Sequence, residues 1–199
     1  ITLIVLSAGP NIDSYPYGNQ IKNPSSLHIG TKLAIEEISK IYNDQLIDKK
    51  VLAVEDSKQD IYRLKPFKDY QINSVGKTKN VLETLIKILE SIDTEWCVIN
   101  PITTIPVSTT SFKTSIYFSD IKLYRENWAS IGNRKNSKIV FKDRHYENLE
   151  DELEFAFTGK LEGKTKEIKS GLDDLIRQNN DDLIDLAEYL YKNHDAEIK

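Results

Sequence analysis

The first half of the chain alternates short apolar runs with stretches in which apolar residues recur every three or four positions. Residues 2–7 form a continuous apolar run, as in a strand that is buried on both faces. Residues 31–42 and 79–92 each place their apolar side chains on one face of a helix. Three further strands are predicted, at 50–55, 69–75 and 95–100. This order predicts a mostly parallel sheet with right-handed crossovers.

The second half of the chain is less regular. Alternating apolar and polar residues predict four strands, at 114–119, 127–132, 138–143 and 152–163. Two amphipathic helices follow, at 165–177 and 181–193, and Asn180 or Asp181 is the expected N-cap of the second. The whole pattern indicates an α/β domain.

Composition and charge argue against nucleic acid and membranes as binding partners. The 199 residues suit one domain with its own core, and the formal net charge of -4 predicts no basic face for nucleic acid. The single cysteine, Cys97, lies in an apolar run and cannot form an internal disulfide. Apolar runs reach about seven residues, too few for a membrane span. We therefore expect a cytoplasmic protein that neither binds nucleic acid nor spans a membrane.

Small and polar residues follow three of the predicted strands. Residues 7–9 (Ser-Ala-Gly) follow the first strand, residues 76–78 (Gly-Lys-Thr) the third, and residues 100–101 (Asn-Pro) the fourth. Ligands of open parallel sheets bind at the carboxyl ends of the strands, where small residues let a base or a phosphate approach the backbone. The helix predicted to begin near Thr78 would also offer free amides to an anion. The alternative, that these residues merely end strands, stays open.

The long segment 9–30 has no predicted regular structure, which is typical of functional or mobile loops. Together with its surroundings it resembles the sugar-phosphate nucleotidyltransferases, which make nucleotide sugars from a sugar phosphate and an NTP. The family pattern is a strand ending in L-[AS]-A-G, a Gly/Ser-rich loop, Pro-Lys, Leu-hydrophobic-x-Gly and a helix. Here the matching residues are LSAG at 6–9 and NPSSLHIG at 23–30. Later, ELEFAFTG at 152–159 resembles the family strand that lines the sugar pocket.

The resemblance implies a Rossmannoid, GT-A-like three-layer sandwich with a mostly parallel central sheet. Residues 1–110 would form the nucleotide-binding half and residues 111–199 the sugar-binding or accessory half of the same domain. The implied partners are an NTP and a sugar phosphate, with Mg²⁺ as cofactor, and the product would serve surface polysaccharide synthesis. An additional domain or a homo-oligomer is compatible with this interpretation.

The resemblance also assigns candidate site residues. Lys22 is the candidate catalytic cation, and Asn100 is the candidate metal ligand. The candidate nucleotide-binding residues are Ser7, Ala8, Gly9, Asn11, Gly76 and Asn80. The candidate sugar-binding residues are Glu154, Thr158 and Gly159.

The chain departs from the family pattern at its charged positions. No Arg or Lys lies between Gly9 and Gly18, and Ser25 follows Pro24 where the family has Lys. Asn100 stands near the position of the Gly-Asp metal ligand. These departures favour weak or absent activity, so an inactive relative that binds a nucleotide, a sugar nucleotide or only a partner protein is the alternative. A glycosyltransferase is disfavoured, because no Asp-x-Asp pair follows the fourth strand.

Overall fold

The structure, a computed structural model, describes residues 1–8, 23–42, 46–108, 110–120, 130–135, 138–143 and 155–199. Within these ranges the strands are β1 (Thr2–Leu6), β2 (His28–Ile29), β3 (Lys32–Leu33), β4 (Lys49–Val54), β5 (Gln71–Ser74), β6 (Trp96–Pro101), β7 (Ser115–Asp120), β8 (Ser130–Lys135), β9 (Lys138–Asp143), β10 (Phe155–Lys164) and β11 (Glu197–Ile198). The α-helices of the same ranges are α1 (Ala34–Ile41), α2 (Val81–Leu89), α3 (Thr165–Arg177) and α4 (Leu183–Asn193).

The described strands form one large sheet and a small hairpin. Along the main path of the sheet the order is β11-β7-β10-β6-β1-β4-β5, with β8 paired to β10 and β9 to β8. Strands β5, β4, β1 and β6 are parallel neighbours, whereas β10 runs antiparallel to β6 and β7. The predicted α/β class and mostly parallel central sheet are therefore confirmed.

The apolar run of β1 explains why this strand lies at the centre. Leu3 and Val5 pack into one buried cluster with residues of α1, while Ile4 and Leu6 pack into a second cluster with residues of α2, α3 and α4. A strand covered by helices on both faces has no polar face, so its sequence is continuously apolar. These two clusters separate three layers, as the resemblance implies.

The structure corrects three predicted helix boundaries. α1 begins at Ala34 rather than residue 31, because β2 and β3 pair as a hairpin just before it. α2 begins at Val81, after the cap formed by Asn80. The prediction of Asn180 or Asp181 as the last N-cap is wrong, since the Asp182 side chain accepts a hydrogen bond from the Ile184 amide. In the described part of the chain, no helix is long and apolar enough to cross a membrane.

Candidate functional site

The carboxyl ends of the parallel strands form the edge at which the sequence places a ligand. The Ser7 amide donates to Ala53 O at 2.9 Å, and the Ile102 amide donates to Leu6 O at 2.9 Å. These bonds extend β1 towards β4 on one side and β6 on the other. Leu6 pairs with Pro101, so Ser7 and Ala8 follow β1 at the same edge at which Asn100 and Pro101 end β6, as predicted for segments that end neighbouring strands.

Gly76 lies farther along the same edge. Its amide donates to Glu55 O at 3.1 Å, and β4 separates β5 from β1. Two inter-strand spacings, about 10 Å, thus separate the end of β5 from the end of β1. Gly76 has φ +65°, and a Cβ added there would meet no atom within 4 Å. The structure leaves open space at Gly76, which a base or a phosphate could fill.

A polar chain links β1 to the segment that contains Pro24. The Ser7 and Ser25 hydroxyls are hydrogen-bonded at 2.6 Å, and the Ser25 hydroxyl lies 3.3 Å from the Tyr62 hydroxyl. Asn23 stabilises this turn, because its Oδ1 accepts from the Ser25 amide at 2.9 Å. Ser25, which stands where the family pattern has lysine, is 1 % exposed and points inward. The sequence shows Asn-Pro as a turn signal at 23–24 but gives no signal for Tyr62.

Asn100 is fully buried and its carboxamide is engaged on both sides. Nδ2 donates to Pro101 O at 2.8 Å and to Thr104 O at 2.9 Å. Oδ1 accepts from the Tyr42 hydroxyl at 3.4 Å. The amide therefore shapes the chain that follows β6.

These contacts also bear on the Mg²⁺ implied by the resemblance. Mg²⁺ prefers carboxylate oxygens in octahedral geometry, and the neutral oxygen of Asn100 faces Tyr42. Among the described residues no group of three or more His, Cys, Asp or Glu side chains could hold a metal ion. The described residues thus do not fit a Mg²⁺ site around Asn100, and its role as a ligand stays a prediction.

Asn80 has a structural contact that the sequence analysis did not assign to it. Its Oδ1 accepts from the Glu83 amide at 2.8 Å and caps α2. The free amides expected near Thr78 therefore lie after residue 80, and one of them is already satisfied. Nucleotide binding by Asn80 stays a prediction.

The predicted sugar-binding residues Thr158 and Gly159 lie directly beside Pro101. The pairing of β10 with β7 is irregular between Phe157 and Leu161, and Gly159 has φ +79°. A Cβ at Gly159 would lie 2.6 Å from Pro101 Cγ, so only glycine allows this close approach. Thr158 O accepts from the Thr104 hydroxyl at 2.5 Å, while its own hydroxyl donates to Tyr117 O at 2.8 Å. The structure thus brings the end of β6 against the irregular part of β10.

Two buried charges next to this contact were missed by the sequence analysis. Lys160 is 1 % exposed; its Nζ donates to Ser108 O at 2.8 Å and lies 3.7 Å from the centre of the Tyr117 ring. Burial lowers the pKa of Lys160 to about 8, against the opposing effect of the Glu162 carboxylate. Burial also raises the pKa of Tyr117 to about 12, and the same carboxylate adds to that shift. The only sequence signal was the spacing of Lys160 and Glu162, which places both on one face of a strand.

Four predicted site residues, Gly9, Asn11, Lys22 and Glu154, lie outside the described residues. Their roles stay predictions.

The comparisons with solved structures agree with this α/β fold. The chain aligns over its full length with 86 % of a Bacillus anthracis protein assigned as a glucose-1-phosphate thymidylyltransferase and solved with sucrose (TM-score 0.77, 12 % identity). It aligns over 96 % of its length with 86 % of a UDP-glucose pyrophosphorylase in complex with UDP-glucose (TM-score 0.69, 10 % identity). It aligns over its full length with 89 % of the CTP:phosphocholine cytidylyltransferase of Streptococcus pneumoniae (TM-score 0.63, 12 % identity).

These similarities confirm the predicted resemblance at the level of the fold. No protein-family model matches the chain, and the search among curated proteins found no match.

Proposed function

We propose that this protein is a nucleotidyltransferase-like protein that acts on an NTP and a sugar phosphate to form a nucleotide sugar and pyrophosphate. The observation that carries the proposal is the contact between the two halves of the sheet. Pro101 follows Asn100 at the end of the parallel half and packs against Gly159 of the antiparallel half. One ligand bound at the end of β1 and another at the irregular part of β10 would meet there.

The chemistry requires positioning and charge neutralisation more than a covalent intermediate. The phosphate oxygen of the sugar phosphate would attack the α-phosphate of the NTP in line, and pyrophosphate would leave. In this proposal Ser7, Ala8 and Gly76 contact the nucleotide, and Thr158 and Gly159 contact the sugar. Gly9, Asn11, Lys22, Asn80 and Glu154 complete the two groups, with Lys22 as the cation at the phosphates.

The proposal extends to the setting of the reaction. A nucleotide sugar formed in this way would supply surface polysaccharide synthesis, and the protein would work in the cytoplasm as one domain with two halves, 1–110 and 111–199.

A second candidate function is supported by particular contacts. Ser25 replaces the lysine of the family pattern and is hydrogen-bonded inward to Ser7, and the Asn100 amide is occupied by Tyr42 and Thr104. The family pattern has a lysine at the first position and a metal-binding aspartate at the second. A site without these two charges loses several kcal/mol of transition-state stabilisation. The alternative is therefore a catalytically inactive relative that binds a nucleotide or a sugar nucleotide.

Calorimetry with CTP, UTP, GTP and dTTP, each with and without Mg²⁺, tests both candidates. Turnover is measured in parallel as pyrophosphate released in the presence of sugar 1-phosphates. Binding with pyrophosphate release supports the transferase, and Mg²⁺-independent binding without release supports the inactive relative. No binding of any of the four nucleotides would contradict both.

A Ser7→Val variant supplies a site-directed control. The valine removes the buried hydrogen bond between the Ser7 and Ser25 hydroxyls at the predicted base-binding edge and should weaken nucleotide binding about tenfold or more. Ser91→Val is the control: Ser91 follows α2 and its carbonyl accepts from Lys49 Nζ at the start of β4, away from the predicted site, so this change should leave the affinity unchanged.

A further inference from the structure

The segment that joins β6 to β7 is attached to β10 at three places. We call residues 102–114 the β6–β7 connection; all except residue 109 belong to the described part of the chain. The Thr104 hydroxyl donates to Thr158 O, Ser108 O accepts from Lys160 Nζ, and the Ser111 amide donates to the Glu162 carboxylate. Lys160 and Glu162 lie two residues apart on β10 and both contact Tyr117, so their side chains share one face of the sheet.

Lys160 occupies an environment that is unusual for lysine. Its side chain is among the largest that are fully buried in the described residues, and its ammonium lies against the Tyr117 ring and 5.4 Å from the Tyr42 ring centre. Lysine is almost never fully buried unless it is paired, because removing its charge from water is costly. Here the ring face and the Ser108 carbonyl compensate part of that cost. The contact with Ser108 fixes the middle of the β6–β7 connection.

Glu162 fixes the next part of the same connection. Its carboxylate accepts hydrogen bonds from the amides of Ser111 (2.9 Å) and Phe112 (2.8 Å) and from the Tyr117 hydroxyl (3.2 Å). Phe112 has φ +54°, a left-handed conformation that non-glycine residues rarely adopt. Such strain persists only where surrounding contacts maintain it, and the bond from the Phe112 amide to Glu162 is one of these contacts, beside the packing of the Phe112 ring against Trp96.

We propose that Lys160 and Glu162 are positioning residues that hold the β6–β7 connection against β10 and thereby fix the wall of the acceptor side of the candidate site. The connection starts directly after Pro101, and Thr104 contacts both the Asn100 amide and Thr158. A displacement of the connection therefore moves the residues at which the two halves of the site meet. The assignment to the acceptor side rests on the function proposed above.

Amide hydrogen exchange tests the positioning role without any substrate. In Lys160→Met, which keeps the length of the side chain and removes its charge, the hydrogen-bonded amides of Ile102 and Thr104 should exchange about tenfold faster or more. In the nearly isosteric Glu162→Gln, the same is expected of the Ser111 and Phe112 amides. The amides of α1 should exchange as in the wild type in both variants.

Lys169→Met, on α3, is the matched control, because Lys169 Nζ also donates to a backbone carbonyl, that of Ile92, at 3.1 Å. This variant should leave the connection unchanged. If the amides of the connection exchange at the wild-type rate in either folded variant, the proposal is overturned. It is also overturned if the amides of α1 exchange faster by the same factor, because the substitution then destabilises the whole fold. If Lys160→Met does not fold, Glu162→Gln decides the question.

A second measurement tests the assignment to the acceptor side. In steady-state kinetics both variants should raise KM for the sugar phosphate about tenfold and leave KM for the NTP within about twofold. Equal rises in both KM values would overturn the assignment. If the wild-type protein neither binds an NTP nor turns over, the proposed function and the acceptor assignment both fail, while hydrogen exchange still decides whether the two charges hold the connection.

Discussion

The parallel strands β5, β4, β1 and β6 and the antiparallel strands β10 and β7 belong to one sheet but bury different chemistry. β1 and the second half of β4 bury aliphatic side chains on both faces, and these lie in the two apolar clusters. β10 buries Lys160 and Glu162 on one face. The parallel half is therefore stabilised mainly by apolar burial, which is insensitive to direction, whereas the shape of the antiparallel half depends on directed polar contacts.

This difference has a functional meaning. The parallel half supplies strand ends whose position the apolar core determines, while the antiparallel half supports an irregular strand and a long connection that need individual contacts. Under the proposed function, variation of a few polar residues on β10 would change the acceptor side without disturbing the nucleotide side.

The largest expected effect comes from the parallel half. Ile4 is fully buried at the centre of β1, between Val51 and Ile99 on the neighbouring strands. Ile4→Ala should lower the free energy of unfolding by about 4 kcal/mol through lost burial and the resulting cavity. Urea denaturation measures the change. Val107→Ala is the control, because Val107 is 98 % exposed and should change the free energy by less than about 0.5 kcal/mol.

Gly159 tests the contact between the two halves. Gly159→Ala places a Cβ 2.6 Å from Pro101 Cγ on a backbone with φ +79°, and should cost about 2–3 kcal/mol in unfolding free energy. Gly30 has a similar φ of +62° but open space around it, so Gly30→Ala should cost only about 1 kcal/mol. Equal costs of the two substitutions in urea denaturation would show that β10 and Pro101 are not tightly packed.

The buried lysine predicts a pH dependence that apolar strands lack. Because burial lowers the pKa of Lys160 from 10.5 to about 8, the unfolded chain binds more protons than the folded one between these values. Stability therefore rises with pH through this window. Between pH 7 and 9.5, Lys160 should raise the free energy of unfolding by about 2 kcal/mol. Among the described residues, the titratable and charged groups shown to face Lys160 are Glu162, Tyr117, Tyr42 and Lys199.

Other groups act in the opposite direction at high pH. Burial raises the pKa of Cys97 and of Tyr70 to about 12. Their contribution to the free energy of unfolding therefore falls as pH rises above their pKa values in the unfolded chain, about 9 and 10. The measurement is therefore the difference between wild type and Lys160→Met in urea at pH 7 and 9.5, because the shared groups cancel. A difference that does not change with pH would contradict the expected titration.

The same contrast explains what the sequence predicts and what it does not. The continuous apolar run of residues 2–7 and the apolar helix faces determine the parallel half, and there strand and helix types are confirmed within a few residues. The ends of β1 and β6 are brought together as predicted, because neighbouring parallel strands end at the same edge.

Lys160 and Glu162 were not predicted, for a physical reason. Alternating charges in a strand normally face solvent, whereas here the β6–β7 connection and the ring of Tyr117, which belong to other parts of the chain, cover them. The N-cap of α4 likewise depends on packing that the local sequence does not reveal. Residues 180–182 (Asn-Asp-Asp) all favour an N-cap, and the choice of Asp182 depends on how Leu183 and Leu186 pack against the sheet.

Substitutions of Asn80 have the smallest expected effect on stability, and they distinguish a structural from a ligand-binding role for this residue. Asn80→Ala removes the hydrogen bond to the Glu83 amide and should lower the free energy of unfolding by about 1 kcal/mol. Asn80→Asp keeps an acceptor oxygen at the helix N-terminus and should restore stability. A carboxylate there would repel a bound phosphate, so nucleotide affinity distinguishes the roles: equal affinity in wild type and both variants means that Asn80 only caps α2. Weaker binding in Asn80→Asp, whose fold is intact, would instead place the phosphates of the nucleotide at the start of α2, on the parallel half of the sheet.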